Sequence, residues 1–129
     1  MQTAGRLLAI DHVEIESRLG IEPDLKWFYS ELAGLQEAEP PVDRSNVLRF
    51  KSDRLELRIL LVDHPEIEST ACRVAIEMPS LPAATEALDD RRHPYVWYRG
   101  FSYTDRYLSL LDPAGNRVEF RRRWPPTYF

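Results

Sequence analysis

The chain has 129 residues, 43% of them hydrophobic, which is typical of a single domain that can bury a core. Its 21 acidic and 17 basic residues give a formal charge of -4, which argues against nucleic acid and acidic membranes as main partners. No stretch approaches the roughly 18 apolar residues of a membrane span, and no signal-peptide pattern opens the chain, so we expect a cytoplasmic protein.

The first half predicts a strand, a helix and further strands. Alternation around Val13 and Ile15 indicates a strand with one apolar and one polar face. Apolar residues spaced three, four and three apart after Pro23 predict an amphipathic helix that Gly34 ends. The predicted elements are strands at 8–16, 47–50 and 55–62 and a helix from 23 to about 34. A further short strand fits at 36–39.

The second half repeats this order. A strand containing Cys72 precedes a helix that begins at Pro82, and three strands follow. The single cysteine excludes an internal disulfide, and its apolar surroundings indicate a buried thiol without a role. The predicted strands are 72–78, 95–98, 107–111 and 117–122, the last two joined by the turn sequence at 112–116.

Matching the halves by pattern indicates an internal duplication. His12 aligns with Arg73, Pro23 with Pro82, and 54–58 with 117–121, at separations of 61, 59 and 63 residues. We therefore predict one domain over 1–129, with modules at about 8–63 and 71–123.

Each matched strand has an apolar face, which the helices should cover, and a charged face. Charges on a sheet face are costly unless they line an open cleft or form ion pairs. The residues predicted on the charged face are His12, Glu14, Glu56, Arg58, Arg73, Glu77, Glu119 and Arg121.

Three segments carry a resemblance to a known family. They are Ile10-Asp11-His12-Val13 in the first strand, Phe28-Tyr29-Ser30-Glu31-Leu32-Ala33-Gly34-Leu35 ending the first helix, and Leu111-Asp112-Pro113-Ala114-Gly115-Asn116-Arg117-Val118-Glu119-Phe120 leading into the last strand. With them, residues 8 to 123 resemble the vicinal oxygen chelate superfamily, which includes glyoxalase I, bleomycin-resistance proteins and extradiol dioxygenases.

The resemblance implies an α+β fold of two tandem β-α-β-β-β modules that form an incomplete barrel around a central cleft, usually in a homodimer. In metal-binding members, up to four strand residues hold a divalent ion. His12, Glu56 and Glu119 match three of those positions, and Arg73 stands at the fourth. A guanidinium stays protonated and offers only donors, so it cannot coordinate a cation. No metal is therefore favoured, and Arg73 is expected to replace it by pairing with Glu119 or Glu56.

The leading interpretation is a metal-independent protein that binds a small anionic molecule in the cleft. His12 and Glu119 are the candidates for moving a proton. The candidate ligand-binding residues are Glu56, Arg58, Arg73, Tyr107 and Arg121. Two alternatives stay open: a metal-dependent lyase, isomerase or dioxygenase that uses His12, Glu56 and Glu119, and a non-catalytic drug-binding resistance protein.

Overall fold

The computed structural model describes residues 4–5, 12–53, 55–65, 74–99 and 106–122. Within these ranges the strands are β1 His12–Arg18, β2 Gln36–Ala38, β3 Val47–Lys51, β4 Glu56–Val62, β5 Val74–Met78, β6 Tyr95–Arg99, β7 Arg106–Leu111 and β8 Arg117–Arg122. The helical segments are α1 Glu22–Lys26, a π-helical continuation Trp27–Leu32, and α2 Leu81–Asp90. The predicted strand positions 8–11, Cys72 and Arg73 lie outside the described residues.

The strands form two four-stranded sheets with the same arrangement. The first sheet has the order β1-β4-β3-β2 and the second has the order β5-β8-β7-β6. In each sheet the first strand pairs in parallel with the last strand of its half, and the remaining pairs are antiparallel. This confirms the predicted α+β fold of two β-α-β-β-β modules, with sheets that stay open. The module boundaries remain predictions.

The first helical segment differs from the uniform helix that the apolar spacing predicts. After Lys26 the backbone widens into π-helical hydrogen bonding, in which the Ala33 amide donates to the Phe28 carbonyl at 3.0 Å. Phe28 and Tyr29 are both fully buried as a result. The stripe predicted from the apolar spacing, Leu25, Phe28, Leu32 and Leu35, contains only the first of these two. Gly34 ends the segment at a φ of 77°, as predicted.

The second helix is fixed at its start by Ser80. The Ser80 Oγ accepts a hydrogen bond from the Ala83 amide at 3.2 Å, and Pro82 lies in the first turn, where its missing N–H costs nothing. Leu81, Ala84 and Leu88 are buried on the helix's inner side. No helix of the described residues is long and apolar enough to cross a membrane.

The apolar strand faces form a core that both halves share. The predicted alternation is confirmed on β4, but Leu55, predicted on the apolar face, precedes β4 and is 45% exposed. On β8, Glu119 is buried together with Val118 and Phe120, so burial does not alternate there as predicted. The core residues with the largest fully buried side chains are Tyr29, Phe28, Phe50, Phe120, Leu25, Ile59, Leu88, Leu108, Val47 and Val118.

Several contacts of the last strand and the turn before it join the first half to the second. The Phe28 ring lies 5.8 Å from that of Phe120. The Tyr29 hydroxyl donates a buried hydrogen bond to Asp112 Oδ2 at 2.6 Å, and the Asn116 side-chain amide donates to the Glu16 carbonyl at 2.9 Å. The turn between β7 and β8 is therefore part of the interface between the halves.

Asp112 also organises that turn. Its Oδ1 accepts hydrogen bonds from the backbone amides of Ala114 at 2.9 Å and Asn116 at 2.8 Å. Gly115 adopts a φ of 96°, as the turn sequence predicts. Because burial outweighs these bonds, the pKa of Asp112 is raised, and burial next to Asp112 raises the pKa of Tyr29 well above its ordinary value.

His93 is more than the exposed turn residue that its place before a proline predicts. Its ring is half-buried 5.6 Å from Phe28, and its Nε2 donates to the Leu111 carbonyl at 2.6 Å. Its role in the structure is to connect the end of α2 to the core.

Candidate functional site

The polar face of the first sheet is ordered in rows that cross the strands, because paired residues on neighbouring strands point to the same side. One row brings His12 beside Glu56 and Glu56 beside Lys51, and the next brings Glu14 beside Arg58 and Arg58 beside Arg49. Continued onto the edge strand, the two rows are His12, Glu56, Lys51 and Gln36, and Glu14, Arg58, Arg49 and Ala38.

Glu56 lies at the centre of this face and is held by two arginines. Arg49 donates to its Oε1 from Nε at 2.9 Å and from Nη2 at 2.5 Å, and Arg58 Nε donates to its Oε2 at 2.5 Å. The Glu56 side chain is only 11% exposed. The hydrogen bond from Arg49, reinforced by Arg58 and opposed by burial, lowers the pKa of Glu56 to about 2.

Two positively charged guanidinium groups contact the single negative charge of Glu56. Arg49 is further engaged through Nη1, which donates to the Glu39 carbonyl at 2.8 Å. The terminal Nη1 and Nη2 groups of Arg58 make no hydrogen bond to the described part of the chain, and the side chain is 26% exposed. Lys51 pairs in register with Glu56, so it lies on the same face as the two guanidinium groups. This cluster of Arg49, Lys51, Glu56 and Arg58 is called the arginine cluster below.

His12 lies beside the arginine cluster but bonds elsewhere. Its Nε2 is 3.3 Å from Glu14 Oε1, and the same carboxylate oxygen is 3.6 Å from Arg44 Nη1. The His12 side chain is 34% exposed. The structure therefore brings two of the predicted residues, Glu56 and Arg58, into direct contact and leaves His12 as their neighbour.

The second sheet carries a related but different arrangement. Arg121 Nη2 lies 3.1 Å from Glu119 Oε1, and the Arg121 guanidinium carbon lies 4.1 Å from the centre of the Tyr107 ring. The other side of that ring stacks on Tyr98 at a centroid distance of 5.6 Å and an interplanar angle of 17°. Three predicted residues, Glu119, Tyr107 and Arg121, are thus brought together. The row formed by Tyr98, Tyr107 and Arg121 is called the aromatic row below.

The strand registers give the equivalence between the halves. His12 pairs with Glu56 on the first sheet, a separation of 44 residues (12 and 56), and Ala75 pairs with Glu119 on the second at the same separation (75 and 119). The residue that relates to Glu119 as His12 relates to Glu56 is therefore Ala75. The match of His12 with Arg73 is two positions off in this register, and Arg73 itself lies outside the described residues.

Arg49 belongs to the arginine cluster but was not among the residues predicted for the site. By the registers it is the counterpart of Tyr107, since each pairs with the arginine that follows the glutamate by two positions. Alternation with Val47 and Lys51 places Arg49 on the same face as the predicted site, so the signal was present. What the sequence lacks is the strand order that sets β3 beside β4.

A divalent cation does not fit the described residues. No group of three or more histidines, cysteines, aspartates and glutamates among the described ranges could hold a metal. The best-placed carboxylate, Glu56, has both oxygens bonded by guanidinium groups, which would repel a cation.

A surface depression lies at the edge of the first sheet and touches the arginine cluster at Lys51. It follows β2 and β3 and includes no residue predicted for the site. The ordered charged and aromatic groups lie on the polar faces of the two sheets.

Comparison with solved structures places the chain in a known fold. A Bacillus anthracis protein described as belonging to the glyoxalase family aligns with a TM-score of 0.76 at 20% identity, covering 94% of this chain and 99% of that one. A glyoxalase/dioxygenase from Nostoc punctiforme gives 0.70 at 20% identity, covering 95% of each chain. A lactoylglutathione lyase from Agrobacterium tumefaciens gives 0.65 at 14% identity, covering 95% of this chain and all of that one.

The chain therefore has the glyoxalase-like fold that the resemblance implies. No family model and no curated protein matches the sequence. Identities of this size define the architecture and leave the reaction to be argued from the site.

Proposed function

We propose that this protein binds a small organic anion on the polar face of its duplicated sheets, without a resident metal. The observation that carries the proposal is the arginine cluster, in which Glu56 accepts hydrogen bonds from both Arg49 and Arg58. By the resemblance, Glu56 matches a position that holds the cation in metal-binding proteins. Here its carboxylate binds two guanidinium groups.

The cluster keeps positive charge available for a ligand. Glu56 sets one negative charge against two guanidinium groups and holds Arg49 and Arg58 in fixed orientations. Arg58 then presents two terminal nitrogens, whose fork geometry suits a carboxylate or phosphate. Partial burial strengthens such a contact, because the side chain is already desolvated and oriented before the ligand arrives.

The test is a titration with benzoate, cyclohexanecarboxylate and malonate at low ionic strength, followed by ligand-observed nuclear magnetic resonance and thermal shift. The neutral analogue benzamide should not bind. Arg58→Met should weaken carboxylate binding about tenfold or more, the size expected for a lost charge-assisted bond. Arg18→Met removes an exposed arginine at the end of β1 and is the matched control.

Two results would contradict the proposal. One is carboxylate binding that is unchanged in Arg58→Met or absent in the natural protein. The other is purified protein that holds stoichiometric nickel, zinc, iron or manganese and loses ligand binding after chelation, which would favour the metal-dependent alternative. Tight binding of a bulky cationic antibiotic with no carboxylate binding would favour the drug-binding alternative.

We also propose a homodimer, as the resemblance implies. Light scattering of the purified protein should give about twice the mass of the 15.1 kDa chain. A species of one chain mass at working concentration would contradict the dimer while leaving the ligand proposal intact.

A further inference from the structure

The second sheet carries three arginines in one row at the end where β6 and β8 finish and β7 begins. Arg99 pairs in register with Arg106, and the ends of β7 and β8 set Arg106 opposite Arg122. Each of the three lies one residue from a member of the aromatic row and therefore points to the opposite face of the sheet. All three are exposed. These arginines are called the basic row below.

The equivalent positions in the first half are apolar. By the strand registers, Leu48 is the counterpart of Arg106, and Ile59 is the counterpart of Arg122. Ile59 is fully buried, and Leu48 packs against the core. The second half thus has exposed cations at positions where the first half has residues that stabilise the fold, so packing does not account for the basic row.

Acidic residues of the adjoining strands point away from the basic row. Glu77 and Glu119 lie an odd number of residues from the row on β5 and β8, which places them on the opposite face. Like charges directly opposite each other destabilise a sheet, so three arginines in one row of a chain with a charge of -4 indicate a binding role. The next row inward on the same face is apolar and consists of Trp97, Leu108, Phe120 and Ile76.

Trp97 orients the central arginine of the basic row. The guanidinium carbon of Arg106 lies 4.3 Å from the centre of the Trp97 ring, a cation–π contact. Neighbouring strands lie about 4.8 Å apart, so the backbones of Arg99 and Arg122 are about 10 Å from each other. An anion that meets the whole row must therefore spread its charge over linked groups.

From this arrangement we infer that the basic row binds a small polyanion whose charges lie on linked groups, as in a triphosphate chain. Guanidinium groups stay charged and bind phosphate oxygens through paired N–H donors. Successive phosphates can contact successive arginines, whereas a single phosphate reaches only part of the row. The acidic charge of the whole chain disfavours a long nucleic-acid backbone as the ligand. This site lies outside the arginine cluster and does not depend on the proposed function.

The experiment is isothermal titration calorimetry with inorganic triphosphate and orthophosphate at physiological ionic strength. The natural protein should bind triphosphate at least about tenfold more tightly than orthophosphate. Arg106→Met should weaken triphosphate binding about tenfold or more, the size expected for a lost charge-assisted bond. Arg106→Lys keeps the charge without the paired donors and should give an intermediate affinity.

The matched control is Arg117→Met, which removes the same charge from the other end of β8. Arg117 is five residues from Arg122, or about 17 Å along the strand, which exceeds the Debye length of about 8 Å. Its substitution should change triphosphate binding less than about twofold. Equal weakening in Arg106→Met and Arg117→Met would overturn the inference, because the effect would then follow net charge alone.

Arg122→Met supplies a second readout. It should weaken triphosphate binding and, without ligand, raise the midpoint of thermal unfolding, because it relieves repulsion within the row. A lowered midpoint would assign Arg122 a structural role and overturn the inference. Equal binding of triphosphate and orthophosphate by the natural protein would also overturn it, and that comparison needs no variant to fold. Tighter binding of an oligothymidylate than of triphosphate would overturn the small ligand.

Discussion

Glu56 in the first half and Glu119 in the second half occupy equivalent strand positions, and each lies near an arginine two residues later. On the first sheet a second guanidinium, from Arg49, completes the contacts of the carboxylate. On the second sheet the corresponding position is Tyr107, which lies under Arg121 and stacks on Tyr98.

The difference arises on the strand next to the last strand of each half. β3 pairs antiparallel with β4, and β7 pairs antiparallel with β8. The residue paired with the arginine is therefore Arg49 on the first sheet and Tyr107 on the second. Arginine there gives a hydrogen-bonded charge cluster, and tyrosine gives a stacked aromatic surface. A duplicated scaffold can thus carry two recognition chemistries while its sheet order stays the same.

The turn between β7 and β8 differs from the turn between β3 and β4. We expect the largest loss of stability from a substitution in the turn between β7 and β8. Asp112→Ala should destabilise the protein by about 3 kcal/mol, since two backbone amides lose their acceptor and the buried Tyr29 hydroxyl loses its partner. Chemical denaturation followed by circular dichroism measures the loss of free energy of unfolding.

The comparison residue in the turn after β3 is Ser52, whose exposed hydroxyl donates to the Leu55 carbonyl at 3.3 Å. Ser52→Ala should change the free energy of unfolding by less than about 0.5 kcal/mol. Similar losses for both variants would mean that the two turns contribute equally, against the structural difference.

The arginine cluster gives the next largest effect. Glu56→Gln should destabilise by about 2 to 3 kcal/mol, because it leaves two partly buried guanidinium groups without their carboxylate. Glu14→Gln changes a more exposed carboxylate on the neighbouring strand and should cost less than about 0.5 kcal/mol. Equal costs would show that the contacts of Glu56 do not stabilise the fold.

Some features of this site follow from the pattern along a single strand, whereas others depend on how the strands are ordered and aligned. Alternation predicts the polar faces, because it depends only on the period of two along a strand. Arg49 needs the strand order, which alternation does not contain. The register beside Glu119 is also hidden, because a shift of two residues, from 73 to 75, keeps a side chain on the same face and leaves the pattern unchanged.

In the fold, too, local features follow from the sequence and features that depend on distant contacts do not. The turn at 112–116 and the stop at Gly34 follow from local conformational preferences and agree with the structure. The π-helical segment at Trp27–Leu32 does not follow from them, since it places both Phe28 and Tyr29 in a core whose other wall comes from β8 and the distant turn. Contacts between residues 83 or more positions apart are absent from any local pattern.

Acid should weaken the arginine cluster selectively. The pKa of Glu56 is lowered from about 4.5 to about 2, so its stabilising contribution is present above pH 4.5 and is lost as the pH falls through 2. The raised pKa of Asp112 acts in the opposite sense, since its contribution is present at low pH and is lost as the pH rises through the raised value.

The stability gap between the natural protein and Glu56→Gln should therefore shrink by about 2 kcal/mol between pH 5 and pH 2.5, after allowance for solvent screening. Urea denaturation at several pH values measures the gap directly. Asp112 is the same in both proteins and cancels in the comparison. A gap that stays constant over this range would show that Glu56 titrates at an ordinary pKa.

The smallest effect belongs to the aromatic row. Tyr107→Leu removes the ring between Arg121 and Tyr98 and should cost about 1 kcal/mol, the combined size expected for one cation–π and one stacking contact at a half-exposed surface. Tyr107→Phe keeps the ring and should cost only a few tenths of that.

Near-ultraviolet circular dichroism adds a readout that stability alone lacks, because stacked tyrosines couple their transitions. The tyrosine signal should fall in both variants at position 107, whereas the free energy of unfolding should fall only in Tyr107→Leu. If Tyr107→Phe costs as much as Tyr107→Leu, the hydroxyl rather than the ring face stabilises the second sheet. The contrast with Arg49 would then be one between two polar groups, and the aromatic character of the second half would lose its energetic basis.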